Sequence, residues 1–421
     1  MVTRLLYISL CFYSLTFAQQ TLDNFISRAV ENSPVLKDYR SQSEITRIDQ
    51  KINSAENSAF QVSLTSDYLF VPYFNNNGQL VTTDPSPEAV GYDINIFDGG
   101  LYSAQLNLER NIFNGRLTDA RESQIRIRDQ SAGYDFNLEK HTLVKEVTDQ
   151  YLTTYQDLLL IRLSEEVTTT LAEQLKLTGE LLGKGFVRPQ DYLLLKIELK
   201  NQQIALRNAR ENYRSSLYRL DAMCGITDTA LVTLEQADLN IESPPSESMF
   251  MHRFDLDSMT TVNEQELFEV RYTPQIRLFF NTGLNAVELH NMQRKFGMSA
   301  GLALSLPLYD GGQKSLTRQK SSIASRTIGT YRQFTARNIK MKRDELVSHI
   351  NILKQNIRDL SHQVSDYQDL LQLSEAQLQQ GNTTMIDHLI LTRNFTEIRR
   401  NKIEAEINYQ LQINAYNYWS W

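Results

Sequence analysis

Two hydrophobic spacings alternate along the chain, and each predicts a different element. From Arg116 to Leu182 and from Gln313 to Gln379 the sequence is rich in Leu, Glu, Gln, Lys and Arg and almost free of breakers. No proline occurs from Glu88 to Arg188 or from Leu308 to the end, and Gly133 and Gly179 are the only glycines between Arg116 and Leu182. Such stretches predict very long helices. Beyond each lies a glycine-marked turn, Gly183 to Pro189 and the residues around Gly381, followed by a returning helix over Asp191–Met223 and Asp387–Trp421. On the first return Tyr192, Leu199, Leu206, Tyr213 and Leu220 recur every seventh residue, the spacing of coiled-coil contacts.

The second spacing is strict alternation. Tyr102, Ala104, Leu106, Leu108, Arg110 and Ile112 share one face, while Ser103, Gln105, Asn107, Glu109 and Asn111 share the other. Met298, Ala300, Leu302, Leu304 and Leu306 alternate likewise with Ser299, Gly301, Ala303 and Ser305. Period two predicts half-buried strands. Strands are expected near Phe60–Phe70, Tyr92–Phe113, Gln275–Leu289 and Gly297–Tyr309, with further helices over Leu22–Ser58 and Met249–Tyr272. An apolar and a polar face suit a membrane barrel or half of a soluble sandwich. Four strands cannot close a wall, and an open sheet edge does not sit in lipid. A membrane reading therefore asks for three chains and twelve strands.

An internal repeat organises these pieces. Phe113-Asn114-Gly115 returns as Tyr309-Asp310-Gly311 at an offset of 196 residues, and the same offset relates Gly133 to Gly329, Gly185 to Gly381, Asp191 to Asp387, Leu193 to Leu389 and Asn212-Tyr213 to Asn408-Tyr409. Residues 19–241 and 249–421 are read as two structural repeats. The linker 242–248 joins them, and its Pro244-Pro245 pair excludes a continuous helix. A helix over Arg116–Leu182 would span roughly 100 Å, whereas the returning and N-terminal helices reach only about 50 and 55 Å. Two shorter helices end to end match one long helix.

The opening residues bear on the compartment. Arg4, the apolar run Leu5–Phe17 and Thr16-Phe17-Ala18 form the charge, core and cleavage pattern of a secretory signal over residues 1–18. Cleavage would remove Cys11 and leave Cys224 without an internal partner, so stability must come from packing. The formal net charge of −7 would fall by one more unit, which argues against nucleic acid. After the signal no stretch reaches the ~18 apolar residues of a membrane helix.

With these features on the page, the chain resembles the TolC-like outer-membrane efflux family along essentially all of its mature length. The resemblance is carried by Leu22-Asp23-Asn24-Phe25, Ala29 and Asn32-Ser33-Pro34, by Leu306-Pro307-Leu308-Tyr309-Asp310-Gly311-Gly312, by the turn motifs Gly185…Asp191 and Gly381…Asp387…Leu389, and by the duplicated plan. It implies a mainly α protein with a small transmembrane β part: a homotrimer with a helical barrel in the periplasm and a shared twelve-stranded β-barrel in the outer membrane. It implies a passive exit duct working with a periplasmic adaptor protein and an inner-membrane pump. The adaptor-docking turns would be Gly185, Phe186 and Val187, with Gly381, Asn382 and Thr383. The pore constriction would fall to Asp387, as a ring of one carboxylate per subunit, and to Asp191, which in the family pairs with a base across neighbouring helices. Thr383 stands in that base's place here, with Arg188 as a substitute, and Ile390 stands where a second acidic ring would be. Both aspartates equally suit the first turn of a helix, where carboxylates are favoured.

No catalytic constellation accompanies these features. The six histidines form no His-Glu-x-x-His motif, and no phosphate-cradling Gly-Lys-Ser/Thr loop occurs, so neither enzyme activity nor a cofactor or metal is expected. His388 reads either as a pore-lining pH sensor or as a polar helix-face residue. Tyr416, Tyr418, Trp419 and Trp421 read as packing of the last helical turn. Two other readings stay open at this point: a periplasmic coiled-coil adaptor, and a structural envelope protein without a pore.

Overall fold

The computed structural model describes residues 21–82, 86, 90–91, 100–185, 187–228, 230–287, 289–380 and 382–421. The expected signal segment, the start of the strand expected from Tyr92, and two of the turn residues, Phe186 and Gly381, lie outside the described residues.

Among the described residues seven α-helices carry the chain: α1 (Leu22–Asn32), α2 (Pro34–Ser58), α3 (Gly115–Gly183), α4 (Pro189–Met223), α5 (His252–Glu269), α6 (Gln313–Gln379) and α7 (Met385–Trp419). Helices α3 and α6 run 69 and 67 residues, as the missing breakers predict. The C-terminal end of α3 and both ends of α4 recur 196 residues later as the C-terminal end of α6 and both ends of α7. The single helix expected over Leu22–Ser58 is instead two. Pro34 opens α2 and has no N–H to continue α1, so Ser33 leaves helical geometry at ψ 119°.

Six strands among the described residues accompany the helices. The strands β1 (Gln61–Phe70), β4 (Gly100–Asn111), β5 (Gln275–Ala286) and β6 (Phe296–Ser305) form one antiparallel sheet in the order β1-β4-β5-β6. Between β1 and β4, where only a loop was expected, β2 (Tyr73–Asn76) and β3 (Gln79–Thr82) form a hairpin. Its turn residues Asn77 and Gly78 have φ of 48° and 85°. That Asn-Gly pair suits a tight hairpin turn because both residues tolerate positive φ.

The chain forms two units. One contains the described residues up to Tyr39 with Asp135–Met251 and Gln333–Trp421; the other contains Arg40–Tyr134 and His252–Arg332, and with them the whole four-stranded sheet. In the first unit, Phe25 and Ala29 of α1 pack with Val147, Tyr151 and Leu152 of α3 and Tyr213, Leu217 and Leu220 of α4. The heptad positions Leu199, Tyr213 and Leu220 are buried, as their spacing predicts. Nearer the turns, Leu163, Val167 and Leu171 of α3 meet Leu195 and Leu199 of α4 and Met385 and Leu389 of α7.

Extended chain after α4 is tied to this core by phenols. Tyr151 donates to the Glu235 carbonyl at 2.8 Å, and Tyr213 donates to that of Val232. Burial, the dominant cause, pushes both phenols up to about 12. Cys224 is fully buried beside them, its thiol likewise pushed up to about 12, chiefly by burial. At the C-terminus the His141 ring stacks between Tyr418 and Trp421, with centroids 4.9 and 4.7 Å away, and the Trp421 carbonyl accepts from Ser248 and Met249. The aromatic cluster is packing, as expected.

Candidate membrane face and the helix-pair turns

Register decides how the strand faces add up. Leu64 pairs with Leu106, Leu106 with Thr282, and Thr282 with Met298; Val62 pairs with Leu108, Leu108 with Phe280, and Phe280 with Ala300. Leu278 pairs with Leu302 and Ile276 with Leu304. Because paired residues point the same way, the apolar positions of all four strands form one continuous face. The face is open to its surroundings: Leu64, Tyr68, Met298, Leu302 and Leu304 are each 66–75% exposed. An uncovered apolar surface of this extent calls for lipid or protein against it.

The opposite face is polar and bonded across the strands. Ser103 donates to the Asp67 carboxylate at 3.0 Å, Asn107 donates to Thr65 at 2.8 Å, and Arg277 reaches Glu109 at 3.1 Å. Among the described residues Arg110 is the one charge on the apolar face. It lies near the strand's end, with its guanidinium 5.3 Å from the Phe60 ring centroid. The outer edges of β1 and β6 pair with no described strand. No helix among the described residues is long and apolar enough to cross a membrane.

Gly185 makes the first helix-pair turn possible. The chain leaves α3 through backbone bonds from Lys184 to Leu181 and from Gly185 to Leu182, and Gly185 takes φ 79°, which suits glycine. Arg188 then caps α4 in extended geometry, with Pro189 at its first position. Asp191 receives Arg188 Nε at 2.9 Å and Nη2 at 3.4 Å. Arg188 thus does pair with Asp191, as the substitute base was expected to. The pair lies within one turn of one helix, however, so it does not tie neighbouring helices together.

The second turn closes by a backbone bond from Asn382 to Gln377 at 2.9 Å. Thr384 caps α7: its hydroxyl accepts from the Asp387 N–H at 3.2 Å and donates to the Asp387 carboxylate at 2.6 Å. A carboxylate is favoured in this first helical turn. Asp387 remains exposed, one residue before the buried His388. His388 is therefore neither a pore-lining nor a surface helix-face residue. The ring is 3% exposed and lies inside the helix packing, because α7 turns this position toward α3 and α6.

Between the two turns lies a cleft of about 380 Å³. Leu177, Leu181, Val187, Leu378 and Met385 give it apolar walls, and Arg188, Asp191, Glu375 and Thr383 line it as well. The structure thus brings Val187, Asp191 and Thr383 to one place, while Gly185 and Asn382 stay in the exposed turns. Deeper along the helices Arg393 of α7 binds the buried Glu198 of α4, and Arg399 of α7 binds Glu166 of α3 at 2.6 and 2.9 Å. These ties escape the sequence because their partners lie 195 and 233 residues apart.

Comparison with solved structures shows the same path of the chain. VceC, an outer membrane protein of Vibrio cholerae, matches with a TM-score of 0.70 at 13% identity, over 95% of this chain and 96% of that one. A membrane protein from Pseudomonas aeruginosa matches with a TM-score of 0.72 at 16% identity, over 95% and 90%. The open-state MtrE outer membrane channel of Neisseria gonorrhoeae matches with a TM-score of 0.69 at 13% identity, over 95% and 88%.

The chain has the fold of these proteins, the TolC-like fold.

No protein-family model and no curated protein matches the sequence. The expected fold class, mainly helical with a small sheet, holds. Among the described residues no group of three or more His, Cys, Asp or Glu could hold a metal ion.

Proposed function

We propose that this chain is one subunit of a homotrimeric exit duct in the outer membrane of a two-membrane envelope, extending into the periplasm. It would be a passive conduit rather than an enzyme. The observation that carries the reading is the sheet: four strands with one continuous lipid-suited face, a polar face opposite, and two unpaired outer edges. An open edge is not tolerated in lipid, so β1 and β6 must find partners, and copies of the same chain supply them with closed symmetry. Exposed apolar stripes on the helices support assembly too: Ile45, Ile48 and Ile52 on α2, and Leu316, Ile323 and Met341 on α6.

In this reading residues 19–241 and 249–421 are two copies of one plan joined by 242–248, a view supported by the common offset of the helix ends. Residues 1–18 would be the cleaved signal. Asp387, exposed at the start of α7, would supply one carboxylate per subunit to a cation-attracting ring, with Asp191 as a weaker contributor because Arg188 neutralises it. The turns bearing Gly185, Phe186 and Val187, and Gly381, Asn382 and Thr383, would receive a periplasmic adaptor that couples the duct to an inner-membrane pump.

Planar-bilayer recording tests the reading. Detergent-extracted protein should run as a trimer and give discrete conductance steps. A monomer soluble without detergent, or a trimer that never conducts, would overturn it.

A further inference from the structure

His388 joins three helices one turn into α7. Its Nδ1 lies 3.1 Å from Ser374 Oγ of α6, and its Nε2 lies 3.2 Å from the Gln174 amide nitrogen of α3. A neutral imidazole has one donor and one acceptor. Here Gln174 donates to Nε2, so Nδ1–H donates to Ser374. The other end of the same amide, Gln174 Oε1, is buried and has no hydrogen-bond partner among the described residues. A buried acceptor without a donor is rare and costly.

Protonating the ring removes the acceptor that Gln174 uses. An imidazolium carries two donors and no acceptor. Turning the Gln174 amide over presents Oε1 to Nε2–H, and Ser374 Oγ still accepts from Nδ1–H. Unless that buried amide turns over, the charged ring sets its Nε2–H against the Gln174 N–H, so the arrangement seen here is complete only for the neutral ring.

The surrounding charges leave one carboxylate free to respond. Glu166 of α3 is held by Arg399 of α7, and Asp191 of α4 by Arg188. Asp387 is exposed and engaged by Thr384. Glu375 of α6, beside Ser374, lines the clefts on both sides of His388 and has no ion partner among the described residues. Burial nevertheless outweighs Glu375 and holds the imidazole below its ordinary value.

We propose that the Gln174–His388–Ser374 node is a proton-operated latch, holding the first turn of α7 against α3 and α6 near neutral pH and releasing it in acid. A released turn returns His388 to water, where it binds a proton more readily than in the packed state. The packed turn is therefore fully favoured above the ring's ordinary value of 6.5 and loses stability as pH falls below it. Thr384 and Asp387 ride on the same turn. Widening of a constriction in acid rests on the duct reading; loosening of the turn does not.

Hydrogen exchange on the full-length protein in detergent tests the latch, with rates corrected for the intrinsic effect of pH. Protection of amides 385–392 should fall about tenfold per unit of acidification below the ordinary value until the packed ring itself titrates. In His388→Gln the fall should vanish. Glu375→Gln, at an exposed position, should move the midpoint to lower pH. Protection independent of pH in the native protein, an undiminished fall in His388→Gln, or an unmoved midpoint in Glu375→Gln overturns the proposal. Loss of conductance with a normal exchange profile would count against the duct alone.

Discussion

The guanidinium of Arg393 in α7 bonds the carboxylate of Glu198 in α4, a side chain only 6% exposed while the arginine is 61% exposed. The pair is lopsided: one charge is sunk into the helix packing and the other still meets water. Removing the arginine strands a buried carboxylate, whereas removing the carboxylate leaves a solvated arginine. Arg393→Ala should therefore destabilise the protein by about 2 kcal/mol, a figure reduced for the exposed partner. Adding Glu198→Gln should recover part of that loss. Thermal midpoints of the two variants in detergent, measured against the parent, check the order.

The Thr384 cap and the Asp387 charge can be separated. Thr384→Ala removes the acceptor for the Asp387 N–H and should cost about 1 kcal/mol, read as a lowered unfolding midpoint. Asp387→Asn keeps an oxygen to accept the Thr384 hydroxyl and removes only the charge. It should leave the midpoint near that of the parent and lower cation preference in bilayer recordings. Unchanged selectivity would refute the carboxylate ring.

Strand faces should differ in their tolerance of charge. Leu302→Arg, on the exposed apolar face, should cost about 2–4 kcal/mol if the residue lies near the bilayer midplane. Ser299→Arg, on the polar face of the same strand, should cost far less. Yields of folded trimer in vesicles compare the two directly. Equal tolerance would argue against lipid on the apolar face.

Alkaline titration reports the phenol anchors. Tyr151 and Tyr213 ionise only at about 12 in the folded chain, against 10.0 for a free phenol. The folded state thus holds protons that the unfolded chain releases, so this stability is present below pH 10.0 and is lost as pH rises toward 12. Phenolate absorbance should show two late-titrating tyrosines fewer in a Tyr151→Phe/Tyr213→Phe variant.

Some of this architecture was legible from spacing alone because the cause is local. A chain without proline from Leu308 onward and with few glycines has nothing to end a helix, and α6 occupies the expected Gln313–Gln379. Alternation in Ser103–Asn111 assigned each side chain to a face before any partner strand was known. The Asn77-Gly78 signal for the β2–β3 hairpin was also present, but its strands are only four residues each, too short for alternation to show.

Tertiary structure decided what depends on distant partners. The order β1-β4-β5-β6 joins two faces into one surface, and periodicity carries no record of which strand lies beside which. Arg188 and Asp191 close on each other within a turn rather than across helices, a choice made by side-chain reach in the folded turn. Sequence offered His388 as a pore-lining pH sensor or a polar helix-face residue beside Asp387; burial against Gln174, 214 residues away, made it a node of the packing. Local spacing sets helices, strands and turns, because backbone geometry and side-chain period act over a few residues. Which polar group is buried, and what answers it, is settled only when remote segments meet.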